Sequence, residues 1–289
     1  MNEIAYSRPR SVSEAVALLA SSDEARVFAG GTDLLIQLRA GARRARHLID
    51  VKHIDELARL ECDAEKGLRL GAAVPCWRIG ESADARRLYP GLVEAAELIG
   101  STQIQSRATV GGNLCNSSPA ADTTPALIAI GAVCVIAGAG GRREVPVSDF
   151  VTAPGRNLLA QGEVLVELRA PAPGRGTADC YRRMTPRNEM DIAIVGVGAQ
   201  VTLEGGRCTA ARIGLGAVAA TPLLGVAVAE KLVGKAFDDA AIAAAGEAAR
   251  ATAKPITDMR GTVEYRREVA AVLTRRVLAE AGRRARERA

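Results

Sequence analysis

Two double-glycine turns do most to constrain what this chain can fold into. The first is Ala29-Gly30-Gly31-Thr32-Asp33, which follows the apolar run ARVF and leads into the helical pattern TDLLIQLRAG, ending at Gly41. A strand that enters such a turn and leaves as a helix exposes the first backbone N–H groups at the positive end of the helix. That is an anion site when a ligand is present, and only a structural turn when none is. Glycine lets a diphosphate approach without a Cβ in the way, and Thr32 adds a hydroxyl donor. Asp33 would repel phosphate, so it is expected to turn aside and cap the helix. The spacing is not G-x-G-x-x-G, so a Rossmann nucleotide fold is not indicated.

The second turn lies in TVGGNLCNSSPAAD, from Thr109 through Gly111, Gly112, Asn113, Leu114 and Cys115 to Asp122. It is read as a long glycine- and serine-rich loop that wraps a polar ligand chain such as a sugar alcohol and its phosphates. The alternative is a ligand-free Ω-loop. Asp122 opens the next helix, with Pro125 in its first turn. It suits an N-cap, a hydroxyl acceptor, or both.

The rest of the composition removes other classes. Aromatics are 3% of the 289 residues, few for a protein that stacks nucleic-acid bases. The N-terminus has no long apolar run, so neither a signal peptide nor a membrane span is expected, and the cytoplasm is the expected location. Six cysteines are present at long, irregular gaps and never as C-x-x-C, which argues against zinc or a locally bound cluster. Several lie in apolar strand-like runs such as VCVIAG, as small core residues. His47 and His53 are the only histidines, so a His-based metal site is not expected. The net charge of +5 owes much to Arg275, Arg276, Arg283, Arg284, Arg286 and Arg288. That basic end is read as a solvated helix terminus. Nucleic acid, a membrane surface and a partner subunit are its other possible targets.

Along the chain, helices are expected at 11–20, with Ser11 or Ser13 as cap and Val16, Leu18 and Leu19 buried, and at 90–100 and 122–130. Strands are expected at 25–30, 47–51, 67–74 and 163–171. APAPGRGTA (170–178) is the best linker. Beyond it come strand-like runs over 179–220 and helices over 238–252 and 262–287. The glycine clusters are taken as loops that approach something closely. The layout is α+β, with domains at 1–174 and 175–289.

AGGTDLL and TVGGNLCNSSPAAD together strongly resemble the paired flavin loops of the molybdenum hydroxylase flavoproteins, the family of the carbon monoxide dehydrogenase and xanthine dehydrogenase flavin subunits. EVLVELRAP, YRRMTPRNEMDIAIVGVGA and DMRGTVEYRREVAAVLTRRVL agree, so the resemblance covers essentially the whole chain. It implies a two-lobed, vanillyl-alcohol-oxidase-like FAD domain of the PCMH type, then a C-terminal sheet-plus-helices domain. It implies non-covalent FAD, with Ala29, Gly30, Gly31, Thr32, Asp33, Leu34, Leu35 and Ile36 at the diphosphate. Thr109, Gly111, Gly112, Asn113, Leu114 and Cys115 would hold the ribityl, phosphate and flavin edge. Asp122 would bind ribityl or adenosine hydroxyls. Thr102, Leu165 and Arg183 are further contacts, and Tyr181 either lies near the isoalloxazine or is a packed strand residue.

The resemblance further implies electron relay. Substrate is oxidised at a molybdenum cofactor on a large partner subunit, and electrons pass through 2Fe–2S clusters on a small partner subunit to this FAD. They leave to NAD, a quinone, a carrier or O2, and a dimer of heterotrimers is expected. No cysteine-rich insertion follows Gly112, so no 4Fe–4S cluster is expected. No general acid or base stands out. The rivals are a stand-alone flavin oxidase of the same fold, with His or Cys attachment, a flavin-free scaffold, and a basic nucleic-acid binder.

Overall fold

The computed structural model describes residues 4–289. It begins with a small parallel sheet in the order β1-β3-β2, made of β1 (Ala5–Ser7), β2 (Ala25–Phe28) and β3 (His47–Asp50). Helices α1 (Val12–Ala20) and α2 (Leu34–Arg39) form the crossovers. Ser11 caps α1 by accepting from Glu14 N–H at 3.1 Å, and Ala15, Val16 and Leu19 are buried, with Leu18 half-buried. Helix α2 differs: four of its six residues are aliphatic, yet none is buried.

The second layer holds β4 (Leu60–Asp63), β5 (Gly67–Gly71), α3 (Cys76–Glu81), α4 (Ala83–Leu88), α5 (Pro90–Glu97), α6 (Thr102–Gln105), α7 (Val110–Asn116) and α8 (Thr123–Ala129). It continues through β6 (Val133–Gly138), β7 (Gly141–Pro146), α9 (Val147–Phe150), β8 (Val151–Ala153), β9 (Arg156–Asn157) and β10 (Val164–Ala170). An antiparallel sheet runs β4-β5-β10-β6-β7, and its core includes Leu68, Leu70, Leu92, Leu127, Ile136 and Leu168. A bulge between Leu165 and Glu167 breaks the β6–β10 register. On the β5 side Val166 C=O accepts from Ala72 N–H at 2.9 Å, continuing the β5–β10 ladder.

Most of the reading along the chain holds, but the segment after Thr109 is a short helix for seven residues and not a long loop. Thr109 supplies the cap that starts it, and Ser117, in the left-handed region at φ 56°, ends it.

The C-terminal part carries β11 (Thr177–Met184), β12 (Val195–Glu204), β13 (Arg207–Gly216) and β14 (Leu223–Leu224), antiparallel in that order. Helices α10 (Val226–Ala229), α11 (Asp239–Thr252) and α12 (Val263–Glu287) follow. Strand periodicity gives each face a separate duty. Val195, Val197, Ala199, Val201 and Leu203 of β12 join a core with Leu273, Val277, Leu278, Ala281 and Ala285 of α12. The opposite face is glycine: Gly196 and Gly198 on β12, Gly214 and Gly216 on β13. A Cβ on Gly198 would lie 2.6 Å from the Pro125 carbonyl oxygen, and one on Gly214 would collide with the same atom. Helix α8 can lie flush on the sheet because these side chains are absent. The glycine clusters therefore belong in part to strands pressed by a helix, and not only to loops.

The basic terminus is only in part the solvated end expected for it: Arg276, Arg283 and Arg286 are exposed, whereas Arg284 and Arg288 turn inward. Arg284 pairs with Glu94 of α5 and donates to the Asp179 carbonyl at 3.0 Å. Arg288 donates to the carbonyls of Thr177 (3.0 Å) and Leu88 (3.3 Å). The end of α12 docks on the chain's own second layer. Burying the carbonyl groups of that seam requires donors, and arginine forks supply them. No helix among the described residues is long and apolar enough to cross a membrane.

Candidate functional site

A cleft of about 350 Å³ opens where the small parallel sheet meets the five-stranded sheet. That is within the range of small-molecule sites, roughly 300–1,000 Å³. Both glycine turns reach its wall. Ala29 to Leu34 arrive from the end of β2, and Thr109, Gly111, Gly112, Asn113 and Cys115 arrive from the start of α7. The apolar side is built from Val27, Val51, Leu57, Ala72, Ile99, Ala108, Val164 and Leu165.

The glycines bring the two turns together before they meet any ligand. A Cβ on Gly30 would collide with the Arg107 carbonyl oxygen, just before the second turn. One on Gly111 would sit 2.6 Å from the Ala72 carbonyl oxygen, and one on Gly112 would sit 2.9 Å from Thr109 Oγ1. Gly31 has φ +78° and rests on the Phe28 ring. The reading that glycine clears a path for phosphate is thus incomplete, since three of the four positions are forced by the protein's own backbone or cap.

What the turns present to the cleft is unpaired N–H. Among the described residues, the backbone N–H groups of Gly30, Gly31, Thr32, Asp33 and Gly111 donate to no protein acceptor. Gly112 N–H is taken by Thr109 Oγ1 at 2.9 Å. Arg43 also reaches the wall, half-buried and without a carboxylate partner among the described residues. Converging N–H donors and a guanidinium fit an anion with several oxygens.

Neither aspartate caps its helix. Asp33 stands at the N-cap of α2 in the right-handed helical region, with no side-chain cap bond. Burial in the cleft wall raises its pKa, and Arg43 opposes the shift. Asp122 stands likewise before α8 without a cap bond. Its oxygens are engaged across the molecule instead. Tyr181 donates its hydroxyl to Oδ1 at 2.9 Å, and Arg183 donates to Oδ2 at 2.7 Å. Burial pushes the Asp122 carboxyl up to about 6, against the pull of Arg183 and the Tyr181 hydrogen bond.

Of the expected site residues, Ala29, Gly30, Gly31, Thr32, Asp33, Leu34, Thr109, Gly111, Gly112, Asn113, Cys115 and Leu165 line the cleft. The wall does not include Leu35, Ile36, Thr102, Leu114, Asp122, Tyr181 or Arg183. Leu114 is fully buried in the core. Leu35 and Ile36 point outward, with Ile36 65% exposed. Asp122, Tyr181 and Arg183 form a buried triad between α8 and β11.

Sequence reasoning missed Gln37, Arg43, Asn116, Asn157 and Gln161, all in the wall. Gln37 lies one helical turn beyond Asp33 and carries a signal in that spacing. Its Nε2 donates to Asn116 Oδ1 at 2.8 Å, tying α2 to α7. Asn157 donates to the Cys115 carbonyl at 2.9 Å, and Gln161 donates to the Leu19 carbonyl at 2.8 Å. Nothing local in the sequence marks Arg43, Asn157 or Gln161.

Comparison with known proteins gives a consistent picture. Residues 2–173 match the family described as the FAD binding domain in molybdopterin dehydrogenase, and residues 180–281 match the carbon monoxide dehydrogenase flavoprotein C-terminal domain. The chain is 34% identical to the carbon monoxide dehydrogenase medium chain of Hydrogenophaga pseudoflava, over 94% of this chain and 95% of that one. It is 30% identical to the xanthine dehydrogenase FAD-binding subunit of Escherichia coli O157:H7, over 96% and 95%. Among solved structures, carbon monoxide dehydrogenase from Hydrogenophaga pseudoflava superposes with a TM-score of 0.93 at 34% identity, covering 98% of each chain. Quinoline 2-oxidoreductase from Pseudomonas putida 86 gives 0.89 at 30% identity, again over 98% of each chain.

Proposed function

This chain belongs to the FAD-binding subunits of the molybdopterin dehydrogenases, the family of the carbon monoxide and xanthine dehydrogenase medium chains, and from that premise we propose that it holds FAD non-covalently and relays electrons within a heteromeric molybdenum hydroxylase. The observation that carries this reading is the convergence of both glycine turns on one cleft, with unpaired N–H groups on one side and an apolar wall on the other. The donors of Gly30 to Asp33, with Arg43 behind them, suit a diphosphate. The apolar residues on the far side suit a flat aromatic ring.

Bound FAD would supply the change between paired and single electron transfer. The chain's own residues bind, orient and screen. Gln37 and Asn116 hold the two turns in register, and Leu57, Ile99 and Leu165 keep water from the apolar end. No side chain in the wall is assigned proton transfer.

Non-covalent binding is favoured by the state of the cleft's one cysteine. Burial pushes the Cys115 thiol up to about 12, so it stays protonated, whereas attachment needs the thiolate. His47 and His53 lie outside the wall, and His47 Nε2 is engaged with Ser7 Oγ at 2.8 Å. In this reading a molybdopterin-binding large subunit and a 2Fe–2S small subunit complete a heterotrimer, two of which pair, in the cytoplasm. The substrate is chosen on the large subunit.

The test is an ultraviolet–visible spectrum of the purified chain, taken before and after acid precipitation. A flavin spectrum whose chromophore stays in the supernatant and is identified as FAD supports the reading. A colourless chain that takes up no added FAD, alone or assembled with the partner subunits, sinks it. Chromophore in the pellet points to a covalent oxidase.

A further inference from the structure

The first glycine turn has little behind it. Helix α2, which leaves the turn, buries none of its residues fully, and the side-chain tie on that side is the 2.8 Å hydrogen bond from Gln37 to Asn116. The turn itself carries a glycine at φ +78° and a row of N–H groups without a protein acceptor. Gly30 presses on Arg107 and Ala108 from one side. On the other side stands a single cation. Lys52 Nζ donates to the Ala29 carbonyl at 3.0 Å and to Asp50 Oδ1 at 2.6 Å. It also lies 4.2 Å from the centroid of the Phe28 ring, the same ring on which Gly31 rests.

Asp50 fixes that ammonium in turn. It is 2% exposed, although it ends a strand of the outermost sheet. It accepts from Lys52 backbone N–H at 3.1 Å and from the Tyr6 hydroxyl. Burial alone would raise its carboxyl, but the hydrogen bonds from Lys52 and Tyr6 outweigh that and hold it below the usual carboxylate range. Tyr6, Asp50, Lys52 and Ala29 form the line that ends at the turn, and His53 Nε2 lies 3.7 Å from the Asp50 oxygen that takes the Tyr6 hydroxyl. None of Tyr6, Asp50 or Lys52 lines the cleft, so none meets a ligand directly.

We propose that Lys52 is a positioning residue for the diphosphate of the bound nucleotide: its ammonium clamps the first glycine turn at the Ala29 carbonyl, and the buried Asp50, tied to Tyr6, clamps the ammonium. The inference rests on the flavin reading above and assigns the support of its anion-binding half. Preorganising a cradle of N–H donors spares the ligand the work of ordering it. The ammonium fits because one Lys head offers three donors, here used on a carbonyl, a carboxylate and, through its charge, a ring face.

The test is Lys52→Met, which keeps the aliphatic stem and removes the head. FAD binding is followed by flavin fluorescence on the full chain, assembled with its partner subunits where the isolated chain does not load. Losing one charge-assisted tie should raise the FAD dissociation constant by roughly tenfold. Phosphorus NMR of the bound FAD should shift in the variant, while the visible flavin band stays in place. Lys52→Arg should restore most of the affinity. If Lys52→Met does not fold, Tyr6→Phe probes the far end of the same network and should weaken FAD in the same direction by less. Unchanged affinity and phosphorus resonances in Lys52→Met overturn the proposal while leaving the flavin reading intact. A flavin band that moves while the phosphorus signals stay fixed also overturns it. A wild-type complex that binds no FAD overturns both.

Discussion

Asp179 offers the sharpest stability test in the molecule. It lies on β11, 1% exposed, and neither carboxylate oxygen has a hydrogen-bond partner. Gly91 of α5 lies against it because a Cβ there would stand 2.8 Å from Oδ2. The charged groups facing it are Glu94 from α5, Arg284 from α12 and Arg288 just past its end. Burial dominates and pushes its carboxyl from the ordinary 3.8 up to about 7, Arg288 working against the shift and Glu94 with it. The folded state therefore holds a proton over a pH window in which the unfolded chain has already lost it. The stability this contributes is complete below about pH 4 and is lost as pH climbs through 7. At about 1.4 kcal/mol per pH unit, the part lost between pH 5 and pH 8 is about 3 kcal/mol. Asp179→Asn keeps the shape and removes the titration. Urea unfolding of both proteins at pH 5 and pH 8 should show the variant gaining on the wild type by about 3 kcal/mol at the higher pH. Taking the difference between the two proteins cancels the other titrating groups. A gap that stays within about 1 kcal/mol across that range would mean the carboxyl is solvated or paired in solution, and would refute the reasoning.

Three further outcomes follow from the same geometry. Asp122→Ala leaves Arg183, whose side chain is 4% exposed, without its carboxylate; the loss should be about 3–5 kcal/mol by urea denaturation, because a buried charge is stranded. Gly198→Ala drives a Cβ to 2.6 Å from the Pro125 carbonyl oxygen, and should cost about 1–3 kcal/mol by thermal melting with the α8–sheet seam opening first in hydrogen exchange. Thr109→Ala removes the acceptor for Gly112 N–H at 2.9 Å; it should cost about 1 kcal/mol and speed amide exchange across α7 while leaving α2 unchanged.

Much of the architecture was legible because it follows local periodicity. Apolar strand-like runs mark β10 and β12, Ser11 marks the start of α1, and the Pro/Gly run marks the passage from β10 to β11. The two turns were legible as words, and both reach the cleft. The shape of the second was not. Two glycines and several serines read as loop, since glycine costs a helix about 1 kcal/mol each. The Thr109 cap and the burial of Val110 and Leu114 outweigh that cost, and the burial depends on Ala72, α8 and β10 being alongside.

The cap reading of Asp122 and the solvated reading of Arg284 and Arg288 failed for one physical reason. Each was judged against its own segment, where an N-cap or a helix-end cation is the cheapest local explanation. In the fold each is answered by a residue far away in sequence: Asp122 by Tyr181 and Arg183, Arg284 by Glu94, and Arg288 by the Leu88 and Thr177 carbonyls. A side chain that can satisfy a local cap will leave it when burial makes a distant partner worth more, because an unpaired charge inside costs more than a lost cap. The same logic applies to the glycines. Gly-x-Gly in β12 and again in β13 is an unremarkable strand pattern until its neighbours are in place, and then Pro125 of α8 fills the space at Gly198, Gly214 and Gly216 and the Tyr181 hydroxyl fills it at Gly196. The polar residues that hold this protein together across its layers are therefore the ones whose sequence context says least about them. The glycine turns announce themselves because their requirement, a backbone without a side chain, is written into a single residue type.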